Sequence, residues 1–153
     1  MRLAVATDHR GVALKDALVA CLREAGHEVD DLGSHGAASV DYPDFAIAVA
    51  ERVAAGRAER GVLVCGTGIG MSIAANKVQG ARAALVYDED AVRLSREHND
   101  ANILVLPGNW LESGRACEWL RLWLATPFAG GRHERRVGRI TNYERDRQDE
   151  PRG

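Results

Sequence analysis

The sequence predicts one α/β domain of three layers, with helices on both faces of a five-stranded parallel sheet and a C-terminal helical extension. Two observations carry this. Short apolar runs alternate with helix-spaced amphipathic segments about five times along the chain, the pattern of repeated strand–helix crossovers. The central runs, "GVLVC" and "NILVLP", are almost continuously apolar, as strands covered on both faces are.

The first strand is "LAVAT" (3–7), followed by "DHRG". Residues 12–25 then place Val12, Leu14, Leu18, Cys21, Leu22 and Ala25 on one broad helical face, and Gly26 stops the helix. "EVDDLG" (28–33) is a more exposed second strand. A second helix follows in "DYPDFAIAVAERVAA", capped by Asp41 or Asp44 with Pro43 in its first turn. The third strand is 61–65, and "MSIAANK" (71–77) is its helix. "RAALVY" (82–87) and "DEDAVRLSREH" (88–98, capped by Asp88) form the fourth pair. The fifth strand, 102–107, closes at Pro107 and Gly108, and an amphipathic helix spans 111–125. "TPFAGG" breaks that helix, and a highly charged segment, helical over part of its length, ends the chain.

At 153 residues the chain is one domain, 1–153, with 130–153 as its charged extension. A formal net charge of -2 exerts no overall pull on nucleic acid or membrane. The N-terminus lacks the long apolar region of a signal peptide, and no run approaches the ~20 residues of a membrane span. Three well-separated cysteines, Cys21, Cys65 and Cys117, show no metal-site spacing and are odd in number. The expectation is a cytoplasmic protein with neither metal nor nucleic-acid partner.

The chemistry concentrates in "CGTGIG" (65–70). Gly66, Gly68 and Gly70 sit between a strand and a helix, where glycine permits close approach of a ligand and helix-start amides favour an anion. A plain tight turn is the bland alternative. The loop follows the third strand rather than the first, and no acidic residue is suitably placed, so it is not a dinucleotide fingerprint. It also lacks the Gly-Lys-Ser/Thr ending of a nucleotide-triphosphate loop. Cys65 ends its strand on the edge where ligands of parallel sheets gather. It is either a core filler or a thiolate base or nucleophile. Thr67 is either a helix cap or a proton donor.

Asp8 and His9 end the first strand on the same edge and suit sugar hydroxyls or proton movement. His98 and Asn99 precede the fifth strand and fall at the opposite edge, as do Arg132, His133, Arg135 and Arg136. These form a second site, or a C2 partner brings them to the glycine loop. Arg132 and Arg136, four apart, share a helix face and can hold a phosphate, or they are a solvated face matched with Glu134 and Glu144.

The stretches "DHRG", "DYPD", "CGTGIGMSIAANK", "LSREHNDANIL" and "GGRHERRV" occur in order from residue 7 to about 137. With them the chain resembles the ribose-5-phosphate isomerase B and galactose-6-phosphate isomerase family of sugar-phosphate isomerases. The resemblance implies a Rossmann-like αβα fold and a homodimer with composite active sites, often paired into a tetramer. It implies no metal or organic cofactor. The activity implied is aldose–ketose isomerisation through an enediolate, ribose 5-phosphate to ribulose 5-phosphate, as in the pentose phosphate pathway.

By the same resemblance, Cys65 is the proton-abstracting base, Thr67 a supporting proton donor and His98 the ring-opening group. Gly66, Thr67, Gly68, Ile69 and Gly70 are the enediolate loop. Asp8, His9 and Asn99 contact the sugar, and Arg132 and Arg136 take the phosphate from the facing subunit. One position departs. Asn109, in "PGNWLE", stands where the family usually has an arginine, which removes one positive contact near the phosphate or distal hydroxyls. A four- or six-carbon sugar phosphate, or a non-catalytic sugar-phosphate binding module, are the alternatives.

Overall fold

The computed structural model describes residues 1–149; the last four residues of the charged extension, 150–153, lie outside the described residues. The strands are β1 (Arg2–Thr7), β2 (Glu28–Asp31), β3 (Arg60–Cys65), β4 (Ala83–Leu85) and β5 (Ile103–Pro107). The helices are α1 (Val12–Glu24), α2 (Tyr42–Ala54), α3 (Ile69–Ala75), α4 (Glu89–Glu97), α5 (Ser113–Ala125) and α6 (Arg132–Asp149). All strand pairs are parallel, in the order β2-β1-β3-β5-β4.

Strand alternation divides the core in two. Leu3, Val5, Val62, Val64, Leu104 and Leu106 face α1, α4 and α5, where Leu18, Val92, Trp119 and Trp123 pack. Ala4, Ala6, Leu63, Ile103, Val105 and Cys65 face α2 and α3. The small alanines of β1 meet Ala46 and Ala50 of α2, so this layer packs close. Trp123 is fully buried and its Nε1–H donates to Ser95 Oγ at 3.2 Å. Cys21 is buried, as a core position requires. Burial, with Cys21 beside it, pushes the Cys117 thiol up to about 11.

The architecture matches the sequence expectation, and the differences lie at element ends. Helix α3 starts at Ile69, two residues early, because Gly68 adopts a left-handed φ of 79° that glycine tolerates. It stops at Ala75, since the Asn76 amide bonds both backbone groups of Ala83 instead. Strand β2 stops at Asp31, and β4 keeps three residues. Helix α5 starts at Ser113, not Leu111, because the Leu111 and Trp110 amides turn back to Pro107 O. Asp88 caps α4 by accepting from Ala91 N–H at 2.7 Å. Asp41 is at the α2 N-cap position without a side-chain bond. Helix α6 is 18 residues long. Among the described residues no helix is long and apolar enough to cross a membrane.

A buried ion pair fixes the end of β1. Lys15 is fully buried, and its Nζ donates to both Asp31 carboxylate oxygens at 2.8 and 2.9 Å. Asp31 also accepts from Gly33 N–H, and Gly33 O accepts from Thr7 N–H at 2.6 Å. Desolvation raises the Asp31 carboxyl, but the bonds from Lys15 and Gly33 and the nearby positive charge outweigh it and leave the pKa below its ordinary value. The pair therefore stabilises fully above the ordinary carboxyl range and is lost as pH falls through the lowered value. Lys15→Ala removes the lysine partner of Asp31 and is expected to cost about 3 kcal/mol, measured by urea unfolding at neutral pH. The variant is also expected to lose part of the acid slope that sets in as pH falls below the ordinary carboxyl value of 3.8.

Candidate active site

The register brings three loops together. Thr7 pairs with Val64, and Cys65 with Pro107, so β1, β3 and β5 end side by side. The crossover from β1 leads to one side and that from β3 to the other, which opens the crevice where parallel sheets take ligands. A cleft of about 190 Å³ lies there, lined by Asp8, Arg10, Tyr42, Cys65, Gly66, Thr67, Gly70 and Asn109. It is smaller than the roughly 300–1,000 Å³ of ordinary ligand pockets. Larger clefts carry less chemistry. One of about 410 Å³ is lined by surface residues such as Arg2, Glu28 and Glu59. Another of about 420 Å³ lies between Asn99, Arg82 and α6.

Cys65 is 5% exposed at the cleft floor, and Gly68 N–H donates to its Sγ at 3.1 Å. A thiolate accepts such a bond more strongly than a thiol. Gly68 must be glycine: a Cβ would stand 2.4 Å from Leu85 Cδ1 in addition to the positive φ. At Gly70 a Cβ would meet the Tyr42 ring at 2.7 Å. The first-turn amides of α3 have no carbonyl partner inside the helix. One of them, Ile69 N–H, is taken by Thr67 Oγ1 at 3.2 Å, so in this structure Thr67 plays the turn-forming role. Its carbonyl accepts from Tyr87 OH at 2.8 Å. The Ile69 side chain is half exposed, and neither Ile69 nor Gly68 lines the cleft.

Asp8 is buried, and its Oδ1 accepts from Arg10 N–H at 2.9 Å. His9 does not line the cleft; its Nδ1 accepts from Val40 N–H at 3.3 Å, which leaves the neutral ring's proton on Nε2. Asn109 is held by its own N–H on Gly66 O at 2.9 Å. Tyr42 and Arg10 also line the cleft, and neither was singled out from the sequence. Both lie inside "DYPD" and "DHRG", the stretches that flank the crevice, and that adjacency was the available signal.

The remaining residues gather at the other end of the strands. Ala129 N–H donates to Glu97 O, and Gly130 and Gly131 turn the chain with φ of 66° and 57°. This lays the His133 ring on His98, with centroids 4.0 Å apart and planes 13° from parallel. Arg132 and Arg136 follow on α6. Asn99 is exposed there and lines the larger cleft with Ile140 and Glu144. The five residues of β5 alone span about 13 Å, so within one chain this group does not reach Cys65. Among the described residues no cluster of three or more His, Cys, Asp or Glu is placed to hold a metal ion.

A thiol with an amide aimed at it, at the switch point of a parallel sheet, defines an αβα protein built for proton or group transfer on an anionic small molecule. Residues 3–140 match the Ribose/Galactose Isomerase family, and the chain belongs to that family. It is an enzyme, an aldose–ketose isomerase. It is 42% identical to the Escherichia coli ribose-5-phosphate isomerase B, over 95% of this chain and 98% of that protein. The Clostridium thermocellum ribose-5-phosphate isomerase B structure superposes with a TM-score of 0.93 at 47% identity, covering 96% of this chain and 99% of that one. The Mycoplasma genitalium ribose-5-phosphate isomerase B, solved with bound ribulose-5-phosphate, gives 0.91 at 39% identity, covering 95% and 97%.

His133 offers a local test of the basic cluster. Partial desolvation lowers its pKa below the ordinary 6.5, and the charges of His98, Arg132 and Arg136 lower it further, against Glu97. A depressed imidazole binds fewer protons folded than unfolded, so its contribution to stability is complete above the ordinary value and declines below it. An NMR titration is expected to find His133 below 6.5 and Glu97→Gln to lower it further. An ordinary value unmoved by Glu97→Gln would contradict the cluster.

Proposed function

We propose that the chain interconverts ribose 5-phosphate and ribulose 5-phosphate in a site shared by two copies. The bond from Gly68 N–H to Cys65 Sγ carries this reading, because a base and an oxyanion loop then occupy one place. The carbon acid is weak, so charge on the carbonyl oxygen must be stabilised as the proton leaves. The Cys65 thiolate takes the proton from C2 of the open aldose. Negative charge moves to O1, where the loop residues that line the cleft, Gly66, Thr67 and Gly70, face it. The resulting enediolate takes the proton back at C1 while O2 becomes the ketose carbonyl. Thr67 Oγ1 carries the oxygen proton from O2 to O1, leaving its local bond to do so. Asp8 and His9 orient hydroxyls.

The second copy brings His98 for ring opening, with Asn99 beside it, and Arg132 and Arg136 for the phosphate. This removes the gap within one chain, and remote phosphate binding aligns the reacting carbons. An exposed apolar rim supports a partner there. Ile73 is 58% and Trp110 65% exposed, and Tyr87 packs on Trp110 with centroids 6.0 Å apart. The charged extension is the arm that reaches across. A cytoplasmic, reducing compartment suits the free thiols of Cys21, Cys65 and Cys117.

A turnover panel of four-, five- and six-carbon aldose and ketose phosphates tests the substrate, with ribose 5-phosphate expected to lead. Preference for another length would reassign it within the same chemistry. Cys65→Ala is expected to fold and bind substrate yet lose carbon-bound hydrogen exchange with solvent; normal exchange would remove Cys65 as base. Arg136→Ala alone is expected to raise KM for phosphorylated sugars. Mixing Cys65→Ala with Arg136→Ala, each nearly inactive at low substrate, is expected to regenerate about one quarter of wild-type activity through mixed dimers. No recovery after subunit exchange would count against the shared site.

A further inference from the structure

Arg10 is a cation at the cleft that the mechanism above does not use. Its side chain lies over Gly66, where a Cβ would stand 3.4 Å from Arg10 Cδ. The same Cβ would stand 3.1 Å from both Asn109 Nδ2 and Oδ1. Arg10 and Asn109 therefore flank one backbone atom, from opposite loops, next to the reactive thiol. Among the described residues the Arg10 guanidinium has no ion pair or side-chain hydrogen bond; only its backbone N–H is engaged, on Asp8. It is exposed and is the one cation among the cleft-lining residues.

The electrostatics need such a group. The cleft holds the Asp8 carboxylate and, in the active form, the Cys65 thiolate. A doubly charged phosphate ester entering it meets like charge on its own side of the site. Asn109 is neutral and offers dipoles only. A guanidinium free of protein partners, on a loop tied down by the Asp8 bond, presents its N–H fork to phosphate oxygens.

We infer that Arg10 is a substrate-binding residue for the phosphate group, supplying from the β1–α1 loop the positive contact that Asn109 does not supply from the β5–α5 loop. This rests on the sugar-phosphate reading above. A phosphate held by Arg10 is held by the same chain that carries Cys65. It thereby fixes the distance from phosphate to base independently of the partner's arginines. Arg10 is thus also a determinant of sugar length.

The experiment measures KM and kcat for ribose 5-phosphate, and the Kd of inorganic phosphate by calorimetry, in full-length protein. Arg10→Ala is expected to raise both KM and Kd roughly tenfold or more, with kcat little changed and the urea midpoint unmoved. Arg10→Ala combined with Asn109→Arg is expected to recover most of the loss, because that guanidinium would enter over the same Gly66. Unchanged KM and Kd in Arg10→Ala would overturn the inference, and so would a double variant no better than the single. A wild-type protein inactive on every sugar phosphate would sink the proposed function instead. The phosphate Kd comparison would still judge Arg10 in that case.

Discussion

Everything at the site depends on the hydrogen bonding that continues past the ends of β3 and β5. Gly108 N–H donates to Cys65 O at 2.8 Å, and Asn109 N–H to Gly66 O at 2.9 Å. These two bonds extend a parallel ladder one step into what would otherwise be loop. They hold the backbone of Cys65 and of the first loop glycine against a strand buried on both faces. Gly108 is part of the same constraint. A Cβ there would stand 3.1 Å from Val64 Cγ1 and 3.4 Å from Cys65 O, so the loop packs tightly over the end of β3. Sites on rigid elements hold their geometry better than sites on free loops, and here the loop is made rigid by the sheet.

From that constraint follows the orientation of the thiol. Cys65 is an odd position on β3 and shares its face with Leu63, toward α2 and α3. Its sulfur thus lies under the start of α3, where the turn through Gly68 returns an N–H to it. The opposite face of β3, with Val62 and Val64, is packed against α1 and α5. A one-residue slip in the strand would exchange the two faces and bury the thiol under α5. The position of the Cys65 thiol is therefore a consequence of register as much as of residue type.

The sequence made the interior of the elements legible and left their ends obscure. "GVLVC" and "NILVLP" are strands because continuous apolar runs this short have no other stable use here. Asp88 announces α4 because a carboxylate can satisfy a free amide. The start of α3 was hidden because it depends on a left-handed Gly68, which no apolar periodicity records. Asp8, Cys65 and the glycine loop could be read from strand-end logic alone. Arg10 and Tyr42 could not, because their side chains reach the cleft across Gly66 and Gly70, a proximity set by the packing of three loops. His98 beside His133 was foreseeable as a shared edge, but their stacking needed the turn at Gly130 and Gly131.

In the proposed shared site, the basic cluster gives a reason to keep the two halves of the reaction apart in one chain. Arg132, Arg136, His133 and His98 crowd positive charge at the N-terminal ends of the strands, and His133 already resists a further proton. If the same group stood beside Cys65 in every folded chain, the thiolate and Asp8 would neutralise it and compete with substrate. Held at the far end, the cations stay unspent until an anion can lie between them and the thiolate. A phosphate ester is long enough to do this because its charge and its reacting carbons sit at opposite ends. In the proposed dimer, two copies facing one another would turn a separation that disables one chain into the spacing a sugar phosphate requires.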